Sequence, residues 1–263
     1  MAPGDEKPAP LDGRSRLERR IRARTPARLL TGRSGEAYRT ETQIDLRDAH
    51  AAARDAVRAE FNLATDLPES LVHDWRLFEV RSQTTNKEEY LLRPDLGRRL
   101  NEQSASEILQ LCPREADLQI VIGDGLSVTA VAKQIPNLLP PLKEGAQLRG
   151  WTLGTVFVVR YCRVGILNEI GELLRPKVAL LLIGERPGLA TAESLSAYMA
   201  YKPKNGDTDA NRNVISNIHA RGLIAEEAAK RIFELAEKMM MSEASGLPLI
   251  GSGNPHGANE RGI

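Results

Sequence analysis

Two glycine-bounded loops hold the residues best suited to chemistry. Gly123-Asp124-Gly125-Leu126-Ser127 follows the apolar run Leu118-Gln119-Ile120-Val121-Ile122 and opens a helical pattern. Glycines let a backbone come close to a ligand, and N–H groups at a helix start can hold an oxyanion. The full Gly-x-Gly-x-x-Gly is missing, because position 128 is Val, and no Gly-Lys-Ser/Thr phosphate loop occurs. The loop is a weak dinucleotide signal, and the plainer reading is a turn in which Asp124 caps the next helix. In Gly184-Glu185-Arg186-Pro187-Gly188-Leu189, two charges follow directly on the strand-like run Val178-Ala179-Leu180-Leu181-Leu182-Ile183. Burying charge is costly unless it is paired or bonded to a ligand. Glu185 and Arg186 therefore either pair with each other to hold the turn or meet a ligand there.

Other chemistry is sparse. The histidines, His50, His73, His219 and His256, form no His-x-x-x-His or His/Cys cluster, so no protein metal site is expected. No Gly-x-Ser-x-Gly elbow occurs. Cys112 and Cys162 have no neighbouring His and make no disulfide framework; they point to a reducing, cytosolic setting. No catalytic set is assigned. The chain reads as a subunit that binds rather than one that does the chemistry alone.

The net charge of +1 hides an asymmetry: residues 14–39 hold nine Arg against two Glu, or +7, which leaves −6 for the rest. Such a block suits a phosphate backbone or an acidic partner. Aromatics are only 4% and none interleaves the arginines at 14–33, so base stacking has no platform there and an acidic partner subunit is preferred to nucleic acid. No window approaches ~18 uninterrupted apolar residues, so no membrane span is expected. No apolar run follows Met1, so no secretory signal is expected either.

The elements around these loops follow from periodicity. Residues 1–13 and 251–263 read as tails, 15–24 as a short helix, and Thr25-Pro26 as a further helix start. A longer helix is predicted over 42–61, a strand at 75–82, a short strand ending in a turn over 90–95, and a helix over 96–111. From residue 118 onward, strand, glycine turn and helix repeat: strands at 118–122, 155–159 and 177–183, and helices at 127–139, 165–174 and 225–242. Short runs rich in Val, Ile and Leu, apolar on both faces, are the mark of a covered parallel sheet. The fold class predicted is α/β: a Rossmann-like open parallel sheet over 113–250 with helices on both faces, preceded by a mostly helical region over 14–112. In such sheets ligands sit at the carboxyl ends of the strands, where the two loops are.

Several blocks resemble one family. They are Arg160-Tyr161-Cys162-Arg163-Val164, Glu169-Ile170-Gly171-Glu172-Leu173-Leu174, and Leu182-Ile183-Gly184-Glu185-Arg186-Pro187-Gly188-Leu189. Glu193-Ser194-Leu195-Ser196-Ala197-Tyr198, Ile215-Ser216-Asn217-Ile218-His219 and Arg93-Pro94-Asp95-Leu96-Gly97-Arg98-Arg99-Leu100 belong with them, as do Asp124-Gly125-Leu126-Ser127 and Thr25-Pro26-Ala27-Arg28. Together, in consistent order over about residues 25–247, they resemble the small (light) subunit of ethanolamine ammonia-lyase.

The resemblance implies a lyase that converts ethanolamine into acetaldehyde and ammonia with adenosylcobalamin, bound base-on. It implies a large TIM-barrel partner subunit that holds the substrate, and an assembly of two large and two small subunits that trimerises. The small subunit would close one side of the cobalamin site. The family's cobalamin contacts fall on Val164, Glu185 and Val214 of this chain; relatives can carry Cys at the third position, so a thiol role is lost there. The region over 14–112 would dock on the large subunit. The location would be cytoplasmic, with a bacterial microcompartment reached only if 14–24 serves as a targeting helix. Asp48-Ala49-His50 looks like the start of a cobalt-ligating Asp-x-His-x-x-Gly, but Ala53 replaces the Gly and the setting is helical, so His50 is expected to be a solvated helix residue. The alternative to the family reading is a Rossmann-like module that binds a nucleotide or nucleic acid.

Overall fold

The structure is a computed structural model and describes residues 13–24, 29, 31–188 and 191–251. Apart from Gly13 and Gly251, the tails expected at 1–13 and 251–263 lie outside the described residues, as do Thr25-Pro26 and Leu189. Helix α1 (Gly13–Arg24) is followed by a small hairpin, β1 (Arg33–Ser34) and β2 (Ala37–Tyr38), and then by α2 (Thr40–Arg58), α3 (Leu63–Asp66) and α4 (Glu69–Asp74). Next come β3 (Phe78–Arg81), α5 (Lys87–Leu92), α6 (Glu102–Leu111), β4 (Leu118–Gly123), α7 (Val128–Leu148), β5 (Phe157–Arg160) and α8 (Ile166–Leu174). The chain continues through β6 (Val178–Gly184), β7 (Leu195–Tyr201), β8 (Asn213–Ile218), α9 (Ala225–Ser242) and α10 (Leu247–Gly251).

Six strands form one sheet in the order β3-β5-β4-β6-β7-β8. Side chains alternate across it, as the period of two requires. Leu118, Ile120 and Ile122 of β4, with Val178, Leu180 and Leu182 of β6, pack under α7 and α9. Val121, Ala179, Leu181 and Ile183 point the other way, to the core that α8 covers. Both faces are dry, and each fully buried Leu, Ile or Val stabilises the fold by about 1.5–3 kcal/mol. This is the α/β architecture predicted, with helices on both faces.

Its parallel character holds for β3, β5, β4 and β6, while β7 runs antiparallel to β6 and β8 antiparallel to β7. The described residues between β6 and β7 form no helix, and the chain turns back to pair antiparallel instead of crossing over. Strand β3 lies before the expected boundary at residue 113 and pairs with β5 as a sheet edge. Neither β7 nor β8 stands out by hydropathy: β7 mixes Ser196 and small residues into a buried strand, and β8 is a largely exposed edge.

Three other expectations are corrected. The strand expected over 90–95 does not form: Tyr90–Leu92 end α5, because Asn86 caps that helix by accepting from Glu89 N–H, and Lys87 and Tyr90 bury one helical face. The helix expected over 96–111 is broken: Leu100 bridges to Ser82, and Asn101 caps the shorter α6 by accepting from Ser104 N–H. Helix α7 runs past its expected end at Leu139, through Pro140 and Pro141, to Leu148. A proline inside a helix costs roughly 3 kcal/mol. Leu138, Leu139, Leu142 and Ala146, all buried on the sheet, offset it.

Candidate functional site

The carboxyl ends of β4, β5 and β6 lie side by side, since Gly123 pairs with Val159 and with Ile183. The turns that follow these strands meet on one rim. Asp124 does not cap α7, as the plainer reading had it. Ser127 does so, accepting from Ala130 N–H at 3.2 Å, and its hydroxyl also donates to the Ala192 carbonyl at 2.5 Å.

Asp124 turns instead toward the end of β5. Its carboxylate accepts the N–H of Tyr161 and of Cys162, each at 2.9 Å. Tyr161 has φ 55°, the left-handed region, so this turn is held in a conformation costly for a non-glycine residue. Two further bonds lock it: Tyr90 donates its hydroxyl to the Cys162 carbonyl at 3.0 Å, and Arg163 N–H reaches the Gly97 carbonyl at 2.8 Å. Asp124 is buried, and so is Lys87, whose ammonium lies 3.5 Å from the Gly125 carbonyl. Burial pushes the Asp124 carboxyl up and the Lys87 ammonium down, and the attraction between the two charges resists both shifts.

Two glycines let the rim close up. Gly125 has φ +58°, and a Cβ there would collide with the Gly184 carbonyl oxygen; a Cβ on Gly184 would collide with the Ser127 carbonyl. Leu126 N–H bonds to the Gly184 carbonyl at 3.1 Å across this contact.

Glu185 follows directly. One carboxylate oxygen, Oε1, accepts from the Ser196 hydroxyl at 2.7 Å and from Asn217 N–H at 2.9 Å. Its Oε2 accepts from no described residue. Arg186 is exposed, and among the described residues no ion pair joins it to Glu185, so the internal pair weighed from the sequence does not form.

Between these turns and β8 lies an open cleft of about 380 Å³ that Val164, Glu185 and Val214 line together. Val164 opens from the turn after β5, and Val214 projects from the edge strand, 49% exposed. Gly125, Gly184, Ser196 and Tyr198 complete the wall. Arg163 also lines it: its guanidinium stacks 4.1 Å from the Tyr90 ring centre, Nη2 donates to the Tyr90 carbonyl, and Nε is buried with no partner among the described residues. The sequence reading missed Tyr90, Arg163 and Tyr198 as wall residues. The signal available was the Asn86-x-x-Glu89 helix start, which places Lys87 and Tyr90 on one face.

His50 lies exposed on α2, a solvated helix residue as expected. Among the described residues no group of three or more His, Cys, Asp or Glu side chains could hold a metal ion, and no helix is long and apolar enough to cross a membrane. Of the basic block, α1 and the hairpin β1–β2 are described; Arg33 lies 5.8 Å over the Tyr38 ring. Among the described residues, helix α2 has none that is buried.

The family model for the ethanolamine ammonia-lyase light chain matches residues 16–249. A curated protein of Clostridium perfringens, named ethanolamine ammonia-lyase small subunit, is 42% identical over 91% of this chain and 79% of its own length. Proteins of the same name from Fusobacterium nucleatum and Listeria monocytogenes are 42% and 41% identical, over 88% and 92% of this chain and 76% and 80% of their own lengths.

Proposed function

This chain belongs to the ethanolamine ammonia-lyase light chain family, and on that premise we propose that it serves as the small subunit of an adenosylcobalamin-dependent lyase that turns ethanolamine into acetaldehyde and ammonia. Its cleft would form one wall of the cobalamin site, and a large subunit would complete it. The enzyme would serve ethanolamine catabolism.

The observation that carries this reading is the cleft itself: two apolar side chains, Val164 and Val214, and the half-occupied carboxylate of Glu185 share one wall. That chemistry fits a corrinoid. Valines pack on an apolar macrocycle edge, while the spare Oε2 of Glu185 can accept from a corrin amide or a ribose hydroxyl. Gly125 and Gly184 put backbone where a side chain would stand. A cleft of about 380 Å³ holds only part of so large a group, in keeping with a site shared between subunits. Bound there, adenosylcobalamin would supply radical chemistry. This chain's share is to bind and orient: Glu185 fixes a polar edge, the valines shield the ligand from water, and Asp124 holds the turn that presents Val164. Base-on binding is proposed, and among the described residues no histidine lines the cleft.

The large subunit is proposed to be a TIM barrel, with two large and two small subunits forming a unit that trimerises. The basic stretch at 14–39 and α2 are the surfaces proposed to dock on it; the charge of +7 and the lack of buried residues on α2 support this. A cytoplasmic location is proposed, and a microcompartment if α1 acts as a targeting helix.

The test is co-expression with the large subunit. Acetaldehyde should form from ethanolamine only when both chains and adenosylcobalamin are present. Glu185→Ala should raise the Kd for cobalamin about tenfold or more in the complex, the worth of a hydrogen bond to a charged group, with less effect on the KM for ethanolamine. No activity with an authenticated partner would end the reading, and an unchanged Kd would remove Glu185 from the site.

A further inference from the structure

Glu185 owes part of its orientation to the end of β8 and the turn that follows it. Asn217 has φ 63°, a left-handed conformation that Asn tolerates better than most residues. In that conformation its backbone N–H meets Glu185 Oε1 at 2.9 Å. The Asn217 side chain is held in turn. Its Oδ1 lies 2.8 Å from His219 Nε2, and His219 Nδ1 accepts from Arg221 N–H at 3.2 Å. Because Nδ1 accepts, Nε2 must carry the proton and donate to Asn217; the hydrogen-bond network assigns this neutral tautomer. His219 is 4% exposed, so its ring has little other recourse.

The surrounding backbone closes the same unit. Leu223 N–H bonds to the Asn217 carbonyl at 2.9 Å, His219 N–H to the Leu223 carbonyl at 3.1 Å, and Gly222 N–H to the His219 carbonyl at 2.9 Å. A Cβ on Gly222 would collide with the Asn217 carbonyl oxygen, so the turn is built tightly around these two side chains.

We propose that His219 is a positioning residue for the cofactor cleft: it locks Asn217, whose backbone N–H occupies one oxygen of Glu185 and leaves the other for the ligand. This rests on the reading of Glu185 as a cobalamin contact. His219 itself does not line the cleft.

The experiment uses the complex with the large subunit and cobalamin as the probe. His219→Phe removes both polar ring atoms and should raise the Kd roughly three- to tenfold, the range of one lost hydrogen bond. His219→Gln keeps a donor where Nε2 stands and should restore the Kd to within about twofold, a rescue that a purely steric role would not give. Asn217→Gly keeps the left-handed backbone and its N–H but drops Oδ1. It should match His219→Phe, and it serves if the Phe variant does not fold. In a Glu185→Ala background His219→Phe should add nothing, as a shared pathway requires. An equal rise in both backgrounds, or no rise from His219→Phe where Glu185→Ala weakens binding, overturns the proposal. If Glu185→Ala alone leaves the Kd unchanged, the cofactor reading of Glu185 falls, and amide hydrogen exchange at Asn217 judges the linkage separately. Exchange should speed up in His219→Phe and recover in His219→Gln; unchanged exchange in His219→Phe overturns the linkage.

Discussion

Asp124 accepts the backbone N–H of Cys162 at 2.9 Å, so a carboxylate at the end of one strand sets the turn at the end of the next. Its other oxygen takes Tyr161 N–H at the same distance, which leaves neither oxygen spare on that side. Asp124→Asn has the same shape but offers only one accepting atom. Its amide would face an N–H donor and leave it unpaired in a buried setting. The variant should lose about 1–3 kcal/mol of stability and lower the affinity for cobalamin by loosening Val164. Thermal denaturation and cofactor titration read the two effects; a Tm equal to that of the parent would show that the carboxylate does not hold the turn.

Gly184→Ala tests the contact between rim turns. The new Cβ would meet the Ser127 carbonyl group and the Asp124 carbonyl oxygen, which are backbone and cannot swing aside. The two turns would have to part, at about 1–3 kcal/mol for overpacking. A lower urea midpoint is expected; full native stability would show that the rim yields freely.

Both thiols should be silent in the native protein. Burial pushes the Cys112 thiol up to about 12. Burial, and then the Asp124 carboxylate, push Cys162 well above the ordinary range, against the pull of Arg163. The thiolate is the reactive form. Iodoacetamide at mildly alkaline pH should therefore label neither residue until a denaturant is added. Rapid labelling of either one in the native state would refute the packing described.

Acid should weaken the fold in part through Asp117. Burial alone would raise its carboxyl, but the Lys177 ammonium and the N–H and hydroxyl of Thr152 outweigh burial and hold it below the usual carboxylate range. Lys177 Nζ lies 2.7 Å from Oδ1, and Thr152 donates to Oδ2 at 2.7 and 2.8 Å. A lowered folded value means that the stabilisation is present above the unfolded value, about 3.9, and is lost as pH falls through the folded one. Asp117→Asn should lower stability at neutral pH and flatten the acid limb of a stability–pH curve. An acid limb as steep as the parent's would assign that loss to other groups.

Much of this protein is legible in its sequence. The runs at 118–122 and 177–183 are apolar on both faces, and only a sheet covered on both sides hides such strands, so class and layer order follow from composition and period. Glu185 stood out because a charge placed directly after a buried strand needs a partner. Tertiary structure decided what local pattern does not encode. Ser196 and Asn217, 11 and 32 residues beyond Glu185, take up one of its oxygens only because β7 and β8 fold back antiparallel beside β6. Asp124 could as well have capped a helix; its choice of Tyr161 and Cys162 depended on where β5 ended. Helix α7 ran through two prolines that a local rule reads as a stop, because burial against the sheet outweighed them. Helix starts and strand periods are short-range properties that neighbours in sequence set. The cleft is made of contacts between distant segments, and these exist only once the sheet has brought its strand ends to one rim.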